Sequence, residues 1–345
     1  MDEFDPEIWF HRRAAYYVEA QLLYHLNVCG VWSHLKQQGA QTAEQIAESL
    51  TLEVAVLEDV LDFVVGVDVI LERDLEGRFS LSPQGHQVLE RFGRRQGAGT
   101  TYNFFDVRVG AYGSIWGNVG PLLRGEIRYG EDLHRTGEIA AEAVYKVGAK
   151  MAPGLARVLS KHELQWELEF GVTTGLLEAM ATELGDRHRV GLDRSVEALQ
   201  TAKTRSEHHG VTRISWLDAD LADVADWSAR SNLLGVGAFY SVHFHEFLSK
   251  GIPWVQGLIS KLGQRYPGCF LVAIEQPAPD ASAHELLALY GHSNRLIHHL
   301  IGNGVILGEL DWVQLFEGAG CRLVGVESMG YLGYKAFVVE LGCDS

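Results

Sequence analysis

Apolar positions recur along this chain with two periods, and the change from one to the other organises it. From Ile8 to Leu35, apolar and aromatic residues including Trp9, Phe10, Tyr16, Tyr17, Leu22, Leu23 and Leu26 fall at helical spacing and end near Gly30. A helix apolar on so many sides needs a partner. Thr42 reads as an N-cap with Gln45 at the capping-box position, and Val54 to Val69 predicts a further apolar helix. Leu71 to Pro83 then reads as two short strands around Glu76-Gly77. Helix, turn, helix and hairpin predict a winged helix.

Residues Gly97 to Leu164 are rich in glycine and aromatics, among them Tyr102, Phe104, Phe105, Tyr112 and Trp116. Within them Tyr129 to His134 reads as a loop and Ile139 to Leu159 as a helix. From Trp166 the period shortens. An apolar run ending in Glu169 meets the turn Gly171-Val-Thr-Thr-Gly175, and Leu176 to Leu184 returns to helical spacing. Strands follow at Arg189–Leu192, Arg213–Leu217, Asn232–Phe239 and Cys269–Ile274, with helical patterns between them. Ala281 to Ile301 predicts another helix, Trp312 to Ala319 an amphipathic one, and the stretches around Cys321–Val326 and Ala336–Glu340 a closing strand pair. Strands alternating with helices predict an α/β fold on a largely parallel sheet.

The strand ends carry the polar chemistry. Glycines at 171 and 175 permit a sharp turn and a close ligand, and the helix after the turn offers free N–H groups. Asp193 closes the second strand, where in an open parallel sheet a carboxylate accepts both hydroxyls of a ribose. Asp218-Ala-Asp220-Leu221 closes the third, placed to meet a base. After the fourth strand comes Ser241-Val-His243-Phe-His245-Glu246-Phe.

The order Glu169, Gly171, Gly175, Asp193, Asp220 resembles the class I S-adenosylmethionine-dependent methyltransferases. In that family the glycine turn holds the methionine part, the second acid the ribose and the third the adenine. The family's turn has a further central glycine where this chain has Val172 and Thr173. The run from Cys29-Gly-Val-Trp-Ser-His-Leu through Thr42-Ala-Glu-Gln-Ile-Ala to Phe79-Ser-Leu-Ser-Pro-Gln-Gly is similar to the N-terminal domain of plant-type and bacterial natural-product O-methyltransferases. The resemblance therefore covers nearly the whole chain. It implies a winged-helix dimerisation domain over residues 1–95, a helical connector over 96–164 and a cofactor-binding domain over 165–345 with a Rossmann-like seven-stranded methyltransferase sheet.

The same resemblance implies site roles. S-adenosyl-L-methionine would meet Glu169, Gly171, Thr173, Gly175, Asp193, Arg194, Asp220, Leu221 and Ser241. His245 matches the family's general base, with Glu246 beside it and Glu275 as the strand-end acid that positions it. Histidine suits the task because its charge changes near neutral pH. Met151, Tyr290 and His292 would line the acceptor site, although a methionine at helical spacing is more often part of a core. The family's Gly-Gly-x-x-Arg-Thr-x-x-Glu-Trp pattern falls on Gly302 to Trp312, where Val305 to Gly308 replace its polar residues.

Composition narrows the partners. The chain has 345 residues, 47% of them hydrophobic, and a formal charge of −16. That charge repels a phosphate backbone, and the helix around Leu52 to Phe63 carries Glu53, Glu58, Asp59 and Asp62 without lysine or arginine, so nucleic acid is not expected. No long apolar run and an acidic first stretch point to a cytoplasmic protein without a membrane partner. Four scattered cysteines read as reduced thiols. His243 and His245 form a His-x-His pair without a third ligand in view, so no metal is expected. The expectation is a homodimeric methyltransferase for a small-molecule acceptor, oxygen first. Two other classes stay open: a cofactor-binding enzyme that cyclises the aminobutyrate chain or promotes rearrangement or decarboxylation, and a non-catalytic regulatory or binding protein built on the winged helix.

Overall fold

The structure, a computed structural model, describes residues 5–92, 106–164, 166–183, 188–211, 213–231, 238–241, 244–279 and 285–342. Tyr102, Phe104, Phe105, His243, His284 and the first part of the expected fourth strand lie outside these residues, as do the side chains of Thr173, Ser241 and Tyr290. Two compact units emerge: Met1–Trp116 with Arg135–Ala143, and Gly117–His134 with Val144–Ser345. Among the described residues no helix is long and apolar enough to cross a membrane.

The first unit runs α1 (Pro6–Val28), α2 (Val31–Gln38), α3 (Ala43–Leu50), α4 (Val54–Val67), β1 (Leu71–Arg73), β2 (Phe79–Leu81) and α5 (Pro83–Phe92). The helical spacing of Ile8 to Leu35 is thus split between two helices, because Gly30 adopts φ +84° and ends the first. Thr42 caps α3 and Gln45 returns the bond, closing the capping box that the sequence predicts. The core gathers Val31, Trp32, Leu35, Ile46, Leu61, Val64 and Phe79. The acidic face of α4 turns to the hairpin: Arg73 on β1 pairs with Glu58 at 2.7 Å and Asp62 at 2.5 Å and stacks over Phe79. On α1, Ile8, Trp9, Phe10, Tyr16 and Tyr17 stay exposed.

In the second unit the strands are β3 (Trp166–Phe170), β4 (Arg189–Asp193), β5 (Ile214–Asp218), β6 (Ala238–Ser241), β7 (Phe270–Glu275), β8 (Arg322–Ser328) and β9 (Lys335–Glu340). They lie side by side in the order β5-β4-β3-β6-β7-β9-β8. The first five are parallel and β9 and β8 antiparallel. Both faces are covered, so β7 reads as a continuous apolar run rather than an alternating one. Leu271 and Ala273 face one core with Phe170, Trp227, Ile259 and Phe337, while Val272 and Ile274 face the other with Met151, Leu155, Met180 and Val338. Chain order proceeds outward from β3 through β4 to β5, then returns to the other side of β3 for β6 and β7. That reversal opens a crevice at the carboxyl ends of β3 and β6, where ligands bind in open α/β sheets.

Candidate active site

The turn after β3 begins the site. Gly171 has φ +81° and Gly175 φ +65°, and a short 3-10 helix, Val172–Thr174, lies between them. Both glycines occupy the left-handed region, the requirement behind their spacing in sequence. Glycine is needed a third time on the covering helix Gly137–Lys161: a Cβ at Gly148 would come within 1.7 Å of the Thr174 carbonyl oxygen. Val172 is fully buried against Leu199, Ala202 and Trp216, so its bulk is absorbed by the packing of the helix Val196–His208 and of β5. Its N–H donates to Asp193 Oδ2 at 3.2 Å, and its carbonyl accepts from Arg205 at 3.0 Å.

Asp193 is held from both sides, since its Oδ1 accepts the Ser195 N–H at 2.9 Å while Ser195 in turn caps Val196–His208. A carboxylate with two backbone donors is oriented before any ligand arrives and retains lone pairs for hydroxyls. Arg194, next to it, is exposed. Glu169 lies next to the end of β3, beneath the turn. It is fully buried and accepts the Thr174 hydroxyl at 2.6 Å. Tyr240 on β6 pairs with it in register, and burial, then the Glu169 charge, pushes the Tyr240 phenol well above its usual range. Glu169 therefore braces the turn from beneath.

On the third strand, β5 extends to Asp218, which registers with Asp193. Asp220 is exposed, and its Oδ1 accepts the Ala222 N–H at 2.8 Å. Leu221 sends its side chain into the core, while its carbonyl accepts from Trp227 Nε1 at 3.2 Å. Contact with a ligand at Leu221 is thus left to the backbone.

Across the crevice, the 3-10 helix Phe244–Lys250 follows β6, anchored by buried Phe244 and Leu248. It carries His245 to the end of β7. Glu275 Oε2 lies 2.6 Å from His245 Nδ1, and Glu275 Oε1 accepts the His245 backbone N–H at 3.3 Å. Only 1% of the Glu275 side chain is exposed. An ionised carboxylate only accepts, so Nδ1 is the donor, and in the neutral ring Nε2 then carries the lone pair. The His298 ring stands edge-on to His245 at 4.7 Å, with Asn303 Nδ2 at 3.2 Å from its Nδ1. The acid that orients the ring is thus Glu275. Glu246, its sequence neighbour, is exposed.

The remaining candidates scatter. Met151 is fully buried beside Leu155, Met180 and Tyr240, in the core of the unit. His292 is exposed on the helix Glu285–Leu300. Beside the end of β7, a cavity of about 870 Å³ is lined by Gln276, Arg295, Ile306, Leu307, Glu309 and Lys335. The Val305 to Gly308 stretch gives it an apolar wall. Sequence reasoning missed Thr174, Tyr240, Arg205 and His298. Thr174 lay inside the turn already singled out, but Arg205 meets Val172 across 33 residues, a separation that no local pattern reports.

The residues fit an adenosyl ligand. Gly171 and Gly175 take the backbone through the left-handed region, with Tyr145 packed against Gly175, Val172 packs into the protein, and Asp193 sits preoriented at the strand end beside the crevice. Turn, Asp193 and Asp220 would hold it.

No protein-family model matches the chain, and no curated protein matches it in sequence. Solved structures do match. Mitomycin 7-O-methyltransferase MmcR is 15% identical with a TM-score of 0.74, covering 97% of each chain. Human N-acetylserotonin methyltransferase, in complex with SAM, is 14% identical with a TM-score of 0.74 over 99% of both chains. The N,N-8-amino-8-demethyl-D-riboflavin dimethyltransferase RosA from Streptomyces davawensis is 17% identical, with a TM-score of 0.65 over 98% of this chain and 99% of its own. Along nearly its full length, then, the chain has the fold of the O-methyltransferases that its sequence resembles.

Proposed function

We propose that the protein is an S-adenosyl-L-methionine-dependent methyltransferase for a small-molecule acceptor in specialised metabolism, with oxygen the first choice of methylated atom. The carrying observation is the pairing of His245 with buried Glu275 at the same sheet edge that presents Asp193. The cofactor, when bound, supplies an electrophilic methyl group on a sulfonium. The protein's task is to hold that group and the acceptor in line and to keep water out, which accounts for most of the barrier reduction. His245 Nε2 takes the acceptor proton, and Glu275 stabilises the resulting imidazolium. The exposed aromatic face of α1 supports homodimerisation through an N-terminal winged-helix domain spanning residues 1–95, with residues 96–164 as connector.

A His245→Ala variant tests the assignment. Methyl transfer from labelled cofactor should fall by about 10²–10⁴-fold, the span of general-base catalysis, with S-adenosylhomocysteine affinity unchanged. Full turnover would remove the base and leave the class. A second reading keeps the cofactor and changes the reaction to cyclisation, rearrangement or decarboxylation. It is favoured by Val172 in the turn and by the apolar Val305–Leu307 wall. Label retained on the sulfur-bearing product would select it.

A further inference from the structure

The turn that would hold the cofactor places Val172 in a short 3-10 helix between two left-handed glycines. Three groups from elsewhere in the fold hold it there. Asp193 takes the Val172 N–H, Leu199, Ala202 and Trp216 enclose the side chain, and Arg205 donates to the carbonyl.

Arg205 is placed with unusual care. Its Nε donates to Glu178 Oε1 at 3.1 Å, while its second nitrogen reaches Val172 at 3.0 Å. The guanidinium carbon lies 4.7 Å from the ring centroid of Tyr145, the side chain that closes against Gly175. One planar fork thus spans the helix Leu176–Glu183, the turn and the helix Gly137–Lys161, geometry that lysine's single ammonium does not reproduce. Glu178 is 2% exposed, and its Oε2 finds no hydrogen-bond partner among the described residues. Burial pushes the Glu178 carboxyl upward and the Arg205 charge draws it back. A half-satisfied buried ion pair is a poor source of stability, because apolar residues of similar volume do as well or better. Its value lies in where it puts the guanidinium.

We infer that Arg205 is a positioning residue for the cofactor: by holding the Val172 carbonyl it restrains the residue whose N–H, in the preceding peptide unit, orients the Asp193 carboxylate. The inference rests on the cofactor reading above. Arg205 touches no reacting atom in this arrangement and acts through Val172 and Asp193.

The test titrates S-adenosylhomocysteine into the full chain by calorimetry and follows hydrogen exchange at the Val172 amide without ligand. In Arg205→Met/Glu178→Met, which removes the fork without stranding a buried carboxylate, the dissociation constant should rise about tenfold and Val172 should exchange faster, with the melting temperature kept. Glu178→Gln keeps the arginine–carbonyl bond and should bind within twofold of wild type. Should the double variant fail to fold, Arg205→Lys carries the same expectation, since one ammonium cannot serve both partners. Wild-type affinity and wild-type Val172 exchange in the arginine variants would overturn the inference alone. No heat from the wild-type chain would overturn the cofactor reading and the inference with it.

Discussion

Glu169 and Glu275 occupy like places, each at or near the carboxyl end of a parallel strand and each almost wholly buried, yet their partners separate them. Glu169 accepts a threonine hydroxyl from the turn that follows it, a group whose charge does not change, so the contact is a brace. Glu275 meets the ring of His245, whose protonated form its carboxylate would stabilise, so the contact is a means of stabilising charge. The strand supplies the carboxylate, and the residue it meets decides the role. The same rule separates Glu275 from Glu246, which adjoins His245 in sequence but leaves the ring to an acid 30 residues away.

Substitutions can break this contrast. The largest effect is expected on the imidazole side: Glu275→Gln should lower kcat by about 10²-fold through loss of the fixed tautomer and of imidazolium stabilisation, with cofactor affinity within twofold. A steady-state split of kcat from cofactor KM checks it, and an equal loss in both would make Glu275 a brace like Glu169. On the hydroxyl side, Thr174→Val removes a donor from a buried carboxylate. It should cost about 1–3 kcal/mol in urea unfolding while sparing kcat in the cofactor-saturated enzyme.

The smallest effect lies in the first unit and concerns a carboxyl facing another carboxyl. Burial, then a hydrogen bond and charge repulsion from Asp68, pushes Glu19 on α1 up to about 7 from a model-peptide value of 4.5. The folded state binds this proton more tightly than the unfolded one. Its stabilising contribution is therefore complete below about pH 4.5, declines as pH rises towards 7 and is absent above. Glu19→Gln should flatten that part of the thermal-stability profile, and an unchanged slope would assign it to other groups.

Much of the fold was legible in sequence because local chemistry wrote it. Gly171 and Gly175 stand where the backbone turns left-handed, Thr42 and Gln45 where a helix begins, and the apolar runs where strands are covered on both faces. The break of the N-terminal helix needed only Gly30, read as an end rather than as a hinge between two helices. The site was less legible. Its place at a strand end marked Asp193, and the family resemblance singled out His245 and Glu275, but the direction of a side chain depends on what packs against it. Glu169, expected to meet the cofactor, is buried with its carboxylate on Thr174 and lies in register with buried Tyr240, neighbours that no local pattern reports. Arg205 and His298 had no motif at all, since their partners arrive from other elements of the fold.

The central claim is that one adenosyl ligand occupies the crevice between β3 and β6. Hydrogen exchange of the full chain with and without S-adenosylhomocysteine tests it most directly. The account predicts protection at Gly171–Gly175 and at Asp193–Ser195, lost in Asp193→Ala. Protection confined to other segments, or none at saturating ligand, would contradict it.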